Sequence, residues 1–532
     1  MRHSHFFLFV FALVLSGCAR MGRPEGGPKD LEKPIMVRAD PAFESLNFDS
    51  DQIRIYFDEY IKLKDVNTQL IISPPLKNNP VISPLGASSK RITIKLSDTL
   101  QENTTYTFNF AQSIVDNTEG NILDNFKYIF STGDYVDSLK VKGTIKDAFD
   151  LEMIENPTIM LYPVDENYRD SLVLKEKPTY VGSTIDSVNW EITNIKAGRY
   201  RLIGLNDVRK NYIFDPKEDR IAFHSDLIDI PGDSVVDLTL FKEIVPFKLA
   251  SRPKEVSRGK VILGFEGDPR DVSIKVLSEV NDDFEAFFSK DRNTDTLNYW
   301  FNHFDLDTMV LEVSKDKFLD TVKIKIDEED MDSLRLEMST YGLLHLRDTL
   351  KLGASVPIVK LDTAKFHFLD KDSARVPFRL DLSPERNEID FDFEKQEQQV
   401  YKLFVEPGAI EDILGVQNDT IKSSIKTGKS SDYCSLFLSI RNFKRFPVII
   451  DLINDKGDVV ARTYASEERE FEFRNLRPSR FMIRIIYDDN DNRQWDTGNF
   501  LMDREPEEVY YVKTIIEAKA NWEVEERVLL NP

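Results

Sequence analysis

A loop near the end of the chain carries the residue pattern closest to metal chemistry. It reads Asp-Asp-Asn-Asp-Asn-Arg-Gln-Trp-Asp from 488 to 496. Asp488, Asn490, Asn492 and Asp496 place side-chain oxygens at positions 1, 3, 5 and 9 of a calcium loop, and Ca²⁺ prefers clusters of carboxylate and amide oxygens. Calcium is therefore the one cofactor that the sequence suggests.

Two interpretations of this loop stay open. Arg493 stands where a calcium loop has glycine, and Asn499 stands where it has its final glutamate. The alternative is an Asx-rich turn, in which Asp and Asn side chains accept hydrogen bonds from their own backbone. An earlier stretch with Asp207, Asn211 and Asp215 has a similar spacing and the same two interpretations.

The other chemistry-bearing residues form no catalytic pattern. The histidines beyond the N-terminal segment are dispersed along the chain, at 224, 303, 345 and 367. The metalloprotease HExxH motif, the GxSxG nucleophile motif and a glycine-rich phosphate loop do not occur in the sequence. We therefore predict that the protein is not an enzyme and has no catalytic residues.

The elements that must position these residues are β-strands. Apolar residues alternate with polar ones in many short runs, as in 53–57, 92–96, 106–110 and 126–130. Asp, Asn, Gly, Pro and Ser separate the runs at the spacing of β-sandwich strands. The pattern predicts an all-β protein, built as an elongated array of tandem sandwiches.

Two different segments of the sequence recur in the same order. The stretch 106–133 aligns without a gap with 401–428, at an offset of 295 residues. A second stretch, 190–215, aligns with 471–496 at an offset of 281 residues. We interpret this as duplication of a two-module cassette. In this alignment Cys434 pairs with Leu139, so we expect it to be a buried strand residue.

The repeats divide the chain into predicted segments of distinct character. They are a signal peptide (1–17), a flexible tether (18–33), an Ig-like domain (34–134), a β-sandwich (137–245), an unpaired β-rich domain (246–338), a degenerate repeat of the first domain (340–430) and a repeat of the second (431–532). Each module is of ordinary size for a small sandwich.

The net charge argues against nucleic-acid and anionic-lipid partners, and the cysteine content argues against a disulfide. The formal net charge is −22, so the chain offers little to neutralise nucleic-acid phosphates or to lie on an anionic lipid surface. Only two cysteines occur, at 18 and 434. If Cys18 is modified, an intramolecular disulfide cannot form. We expect no nucleic-acid partner.

The N-terminus resembles a bacterial lipoprotein signal. A short apolar run leads into Leu15-Ser16-Gly17-Cys18, which is similar to the lipobox. The resemblance implies lipidation of Cys18 and a membrane contact through that lipid. In enteric bacteria an aspartate directly after the lipidated cysteine retains a lipoprotein in the inner membrane. Ala19 stands at that position here, which favours the outer membrane. The following stretch is basic rather than acidic, which favours the periplasmic face over the cell surface.

The first module resembles bacterial Ig-like domains of surface-layer proteins. The similar residues are Asp40-Pro41, 52–60, the Ser73-Pro74-Pro75 turn and 104–133. The second module looks like a prealbumin-like, carboxypeptidase-regulatory-type domain in 141–145, 160–162 and 194–207. Together they resemble Ig-like-domain envelope lipoproteins of Bacteroidota.

Asp-Ser/Thr-apolar triplets are numerous and resemble the O-glycosylation signal of Bacteroidota. Candidate acceptors are Thr99, Ser138, Ser234, Thr296 and Thr420. The alternative is that Asp-Thr and Asp-Ser are favourable turn residues at the start of a strand.

Two functions from different classes follow from these patterns. The first is a non-enzymatic, lipid-anchored scaffold that presents loops and strand edges to an envelope protein partner. The second is a carbohydrate-binding lipoprotein, which requires exposed aromatic rings to stack on sugars. Trp300 is the best candidate for such a ring, although a core aromatic fits its position as well.

Overall fold

The computed structural model describes residues 30–531 except 152, 153, 155, 187, 234, 303 and 329. It is 47% strand and 4% helix, which confirms the prediction of tandem β-sandwiches. The chain forms two compact units. The first contains the described residues of 30–145, 154–213 and 226–238, and the second contains those of 146–153, 214–225 and 239–531.

The first unit begins with an Ig-like sandwich of two sheets. One sheet has the order β1-β2-β5-β4 with β7 on β2, and the other has the order β3-β6-β8. The elements are β1 (Met36–Asp40), β2 (Gln52–Leu63), the short helix α1 (Val66–Gln69), β3 (Ile71–Ser73), β4 (Val81–Ser83), β5 (Ser89–Lys95), β6 (Thr105–Asn109), β7 (Ile114–Asp116) and β8 (Lys127–Ser131).

Strand alternation explains the core of this sandwich. Ile53, Ile55 and Phe57 of β2 are buried, and the polar residues between them face outward. They meet Phe108 and Phe130 from the opposite sheet in one hydrophobic core. The sequence periodicity therefore places these residues correctly.

A second group of strands follows. Within the first unit they form a sheet of order β13-β10-β11-β12-β9, with β15 on β13. The bounds are β9 (Leu139–Asp147), β10 (Thr158–Pro163), a 3₁₀ helix (Asp170–Leu174), β11 (Tyr180–Thr184), β12 (Asn189–Ile195), β13 (Gly198–Asn206), β14 (Arg220–Phe223), β15 (Ile228–Ile230) and β16 (Leu238–Leu240).

The second unit continues with a β-rich domain that has its own hydrophobic core. Its sheets have the orders β17-β19-β22-β21, with β18 on β19, and β20-β23-β24. The strands are β17 (Lys248–Leu249), β18 (Lys254–Ser257), β19 (Lys260–Glu266), β20 (Ser273–Val276), β21 (Ala286–Lys290), β22 (Thr296–Phe301), β23 (Thr308–Lys315) and β24 (Phe318–Lys325).

Another sandwich and core follow in the same unit. Its sheets are β25-β27-β31-β30, β26-β34-β32-β29 and the pair β28-β33. The elements are β25 (Leu336–Met338), β26 (Leu343–Leu344), β27 (Leu350–Ala354), β28 (Ile358–Leu361), a 3₁₀ helix (Thr363–Lys365), β29 (Phe366–Leu369), β30 (Arg379–Leu382), β31 (Glu388–Asp392), β32 (Val400–Val405), β33 (Ile410–Asp412) and β34 (Ile421–Thr427).

The chain ends in a sandwich with sheets β38-β35-β42 and β37-β36-β39-β40, with β41 on β39. The elements are a 3₁₀ helix (Ser430–Asp432), β35 (Cys434–Arg441), β36 (Val448–Ile453), β37 (Val459–Ala465), β38 (Glu470–Leu476), β39 (Ser479–Tyr487), a 3₁₀ helix (Phe500–Met502), β40 (Val509–Tyr511), β41 (Ile516–Ala518) and β42 (Glu523–Leu529).

The structure supports the predicted duplication in its hydrogen bonds. The hydroxyl of Tyr106 accepts a bond from the Gln101 backbone N–H at 2.9 Å, in the manner of an Ig tyrosine corner. The hydroxyl of Tyr401 accepts the same bond from the Gln396 N–H at 2.7 Å. Both donors and both acceptors are related by the offset of 295 residues.

The second repeat shares strand pairing as well as sequence. The antiparallel pairs β9–β12, β10–β13 and β13–β15 correspond to β35–β38, β36–β39 and β39–β41. Asn194 in β12 and Asn475 in β38, which align, both have positive φ at the point where the pairing register with the neighbouring strand shifts. The repeat is therefore one of topology and of local backbone conformation.

Candidate functional site

The loop 488–496 follows β39 and is built around a buried carboxylate. The Asp488 side chain is fully buried. Its Oδ1 accepts a hydrogen bond from the Asn492 backbone N–H at 3.0 Å, and its Oδ2 accepts one from the Arg493 N–H at 2.8 Å. These bonds hold a turn in which Asp491 and Arg493 adopt positive φ. Asp488 thus fixes the path of the loop.

The remaining predicted ligands converge on one oxygen. The side-chain amides of Asn490 and Asn492 both donate to Oδ2 of Asp496, each at 2.5 Å. The side-chain oxygen of Asn490 accepts a hydrogen bond from the Asn492 backbone N–H, and that of Asn492 accepts one from the Gln494 N–H. The structure therefore brings together all four residues that the spacing selected.

Glu507, which the sequence pattern did not reveal, supports this loop. Its two carboxylate oxygens accept hydrogen bonds from the backbone N–H groups of Asp489 and Asp496, at 2.8 and 2.9 Å. Burial raises the pKa of Glu507, while these two N–H groups act in the opposite direction. Glu507 lies 11 residues beyond Asp496 in sequence, so no local motif identifies it.

The hydrogen bonds in this loop follow the Asx-turn pattern. In the part of the chain that the structure describes, no three His, Cys, Asp or Glu side chains are grouped closely enough to hold a metal ion. Calcium binding by the loop stays a prediction.

In the earlier stretch 207–219, carboxylates also accept hydrogen bonds from backbone N–H groups of the loop. Within the first unit, Oδ2 of Asp207 accepts a bond from the Tyr212 N–H at 2.7 Å. Within the second unit, Asp219 accepts a bond from the Asp215 N–H at 2.8 Å, as Glu507 does from Asp496. The duplicated stretches therefore share buried carboxylates that bond to loop N–H groups.

Trp495 connects the loop to another segment of the second unit. Its ring centroid lies 4.7 Å from that of Phe149, and its indole N–H donates to the Glu507 carbonyl at 3.0 Å. The guanidinium of Arg484 lies 4.2 Å from the Phe149 ring centroid. Phe149 is therefore held between an aromatic ring and a cation.

The residues after Trp495 extend this contact within the same unit. The Thr497 hydroxyl donates to the Lys242 carbonyl at 2.7 Å, and the Phe500 N–H donates to the Glu243 carboxylate at 2.5 Å. The rings of Phe223 and Phe500 lie 5.4 Å apart, edge to face. We call residues 488–507 the clasp loop, because it holds the stretches around 149, 223 and 242 in place.

Trp300 does not form the exposed platform that the sugar-binding hypothesis needs. Only 3% of its surface is exposed, and it packs with Val356, Ile413 and Leu414. The Lys260 ammonium lies 4.6 Å from its ring centroid. Strand alternation places Trp300 on the face of β22 opposite the core residues Tyr299 and Phe301, and residues of the following sandwich cover it there. Its proposed role in stacking on sugars is therefore wrong, and the alternative of a core aromatic is confirmed.

The candidate modification sites differ in position. Thr99, Ser138 and Thr420 are exposed residues in loops, and Thr296 is a half-buried residue at the start of β22. Ser234 and the lipidation candidate Cys18 lie outside the described residues. Glycosylation and lipidation therefore stay predictions.

Cys434 is a buried residue of β35, as the alignment with Leu139 predicted. Burial raises the pKa of its thiol.

Across the residues that the structure describes, no helix has the length and apolar character to cross a membrane.

A second polar feature, missed by sequence reasoning, is an acidic cleft in the second unit. It has a volume of about 520 Å³. Two stretches distant in sequence, 282–285 and 411–415, contribute to its wall together with Asn302 and Val359. Close acidic pairs are frequent in a chain with 92 Asp and Glu, so the sequence gives no signal for this cleft.

Comparison with known families identifies the first module. Residues 30–132 match the model of the bacterial Ig-like domain. This confirms the Ig-like prediction for that part of the chain. The search of curated proteins found no match.

Several solved structures resemble the chain. An S-layer protein, rSbsC(31-844), is 9% identical with a TM-score of 0.14, and the match covers 91% of this chain and 67% of that one. The N-terminal eight Ig domains of Down Syndrome Cell Adhesion Molecule are 10% identical with a TM-score of 0.15, covering 91% and 69%. Domains MG0-NIE-MG1 of Escherichia coli alpha-2-macroglobulin are 12% identical with a TM-score of 0.18, covering 35% and 90%.

Proposed function

We propose that this protein is a non-enzymatic, lipid-anchored scaffold of the cell envelope, attached to the outer membrane through Cys18 on its periplasmic face. Its sandwiches would present loops and strand edges to a protein partner. The bacterial Ig-like domain at residues 30–132 supports a structural role. The lipobox-like Leu15-Ser16-Gly17-Cys18 supports the anchor.

The observation that carries the scaffold proposal is that specific side chains join the sandwiches within each unit. In the first unit, the Lys177 ammonium donates to the Leu76 carbonyl at 3.0 Å, and the Val181 N–H donates to the Ser73 hydroxyl at 3.0 Å. Such bonds fix the orientation of neighbouring modules, whereas flexible linkers do not.

In the second unit, apolar and aromatic contacts join neighbouring sandwiches. The apolar cluster of Trp300, Val356, Ile413 and Leu414 joins β22 to the turns of the following sandwich. The clasp loop adds the contacts with Phe149 described above. A unit whose modules are locked in this way sets fixed distances between the surfaces that it exposes, which supports scaffolding.

A tagged pulldown from gently solubilised native envelopes, followed by mass spectrometry, tests the scaffold role. We expect a stoichiometric envelope protein partner with wild-type protein. The matched control is Cys18→Ala, which keeps every described module but lacks the acceptor for the lipid. Recovery of the wild-type chain alone would contradict the proposal.

Fractionation of the same two strains tests the anchor. Wild-type protein should sediment with outer membranes and be released by detergent, while the Cys18→Ala protein should not sediment with them. Equal distribution of the two proteins would refute lipid anchoring at Cys18 and leave the scaffold role to be decided by the pulldown.

A further inference from the structure

The acidic cleft of the second unit is not used by the scaffold role. Five side chains in its wall carry carboxylates, and the described lining includes no Lys, Arg or His. They are Asp282, Asp283, Glu285, Glu411 and Asp412. Clefts lined by one sign of charge concentrate ions of the opposite sign. The cleft therefore favours a cationic ligand.

Asp412 distinguishes this cleft from an ordinary acidic surface. Its side chain is fully buried, and Oδ1 accepts hydrogen bonds from the backbone N–H groups of Leu414 and Val416, at 2.9 and 2.8 Å. In the part of the chain described, its Oδ2 is buried without a hydrogen-bond partner. Leaving a buried acceptor without a hydrogen bond costs free energy. The described part of the fold supplies no donor to this oxygen, so a donor from a ligand would stabilise it.

The first Ig-like module provides a comparison within the same chain. Asp116 ends β7 as Asp412 ends β33, and it is also buried. Its Oδ1 accepts from the N–H groups of Thr118, Glu119 and Gly120, and its Oδ2 accepts from that of Asn121 at 2.7 Å. Burial opposes its ionisation, but these four bonds outweigh it and hold the pKa below its usual range.

Turn length explains the difference between the two aspartates. The Asp116 N–H donates to the carbonyl of Asn121, five residues ahead, whereas the Asp412 N–H donates to that of Val416, four residues ahead. The shorter turn lacks the N–H group that would bond the second oxygen. Burial raises the pKa of Asp412, although the backbone N–H groups of Val416, Leu414 and Gly415 oppose this.

The other walls of the cleft narrow the chemistry of the ligand. Phe284, Val359 and Ile413 add apolar surface beside the carboxylates. An ammonium group on an alkyl chain fits such a mixed surface, because its methylene groups cover apolar atoms while its three N–H donors reach oxygens. A bare ion would gain nothing from the apolar wall.

We propose that this cleft binds a primary ammonium group on an alkyl chain, which donates a hydrogen bond to Oδ2 of Asp412 and pairs with the carboxylates at the rim. The ammonium comes either from a lysine side chain of another protein or from a free polyamine. Because Oδ2 is enclosed, entry of the ligand requires a small movement of the turn 412–416. The proposal does not depend on the scaffold role.

Isothermal titration of the full chain with spermidine and with a short lysine-containing peptide tests the proposal. We expect saturable binding of at least one probe, weakened about 10-fold by Asp412→Asn, since a hydrogen bond between charged partners contributes about that factor. Binding of the peptide alone would identify a protein lysine as the ligand. Binding of spermidine alone would identify a free polyamine.

The matched control is Asp116→Asn, which makes the same substitution in the corresponding turn and should leave binding unchanged. The double variant Asp283→Asn/Glu285→Gln alters only exposed rim residues, so it should fold normally and weaken binding at least 3-fold. The proposal is overturned if neither probe binds, or if the rim variant binds as tightly as wild type. It is also overturned if Ca²⁺ alone binds and Asp412→Asn abolishes that binding.

Discussion

Replacing Asp488 with alanine should loosen the clasp loop. The carboxylate is fully buried and accepts two backbone N–H bonds, from Asn492 and Arg493. A hydrogen bond to a charged group contributes about 1.5–3 kcal/mol, so losing both should destabilise the closed loop by about 3–6 kcal/mol. Asp488→Asn keeps one acceptor oxygen and should lose about half of this.

Hydrogen exchange followed by mass spectrometry measures this effect locally, which matters because a chain with several cores is not expected to unfold in two states. Peptides covering 488–496 should exchange about 100-fold faster or more in Asp488→Ala, and by an intermediate amount in Asp488→Asn. Peptides from the first unit serve as the internal control. Unchanged exchange in both variants would refute the assignment of Asp488 as the residue that holds the loop.

Further outcomes test other parts of the structure. If the loop binds calcium, millimolar Ca²⁺ should raise the unfolding midpoint of the wild-type chain by mass action, and an unchanged midpoint would contradict this. Tyr106→Phe and Tyr401→Phe should each destabilise their own sandwich by about 1 kcal/mol, measured by hydrogen exchange in the strands of that sandwich, and a loss in only one would show that the corners are not equivalent. Asp451→Ala should cost about 3–5 kcal/mol, because it leaves the buried Arg484 guanidinium without its carboxylate at 2.7 Å, and hydrogen exchange in β36 and β39 that shows a loss below about 1 kcal/mol would argue against this pair. Burial lowers the pKa of His345 below its ordinary 6.5, so its contribution to stability is present above pH 6.5 and is lost as the pH falls towards the folded-state pKa. The unfolding midpoint should therefore drop less on acidification in His345→Gln than in wild type, and parallel pH profiles would count against this.

The sequence predicted what depends on local periodicity. The alternation in 53–57 identified a buried strand, and the offset of 295 residues between Tyr106 and Tyr401 found two residues that make the same hydrogen bond. The four oxygen-bearing residues of 488–496 do converge. These features could be read from the chain because each is set by neighbours in sequence.

Features that depend on distant contacts could not be predicted. Trp300 is an aromatic residue of the kind that stacks on sugar rings, but contacts with the following sandwich bury it. Glu507 lies near the end of the same connection between β39 and β40, and it bonds the backbone of Asp489 across 18 residues of sequence, while the acidic cleft joins 282–285 to 411–412. Sequence spacing gives no measure of such distances. The boundaries of the predicted modules stay predictions.

The two copies of the first repeat share framework bonds and differ in one turn. These framework bonds are the same in both copies, since Thr132 and Thr427 donate to the carbonyls of Gln101 and Gln396, five residues before Tyr106 and Tyr401. The turns differ: Asp116 is saturated with donors, whereas Asp412, in a turn one residue shorter, is not. A framework kept by both copies holds the changed turn in place against the apolar cluster around Ile413. A turn that is one residue shorter thus leaves a carboxylate oxygen without a donor, while the sandwich that supports it keeps its hydrogen bonds.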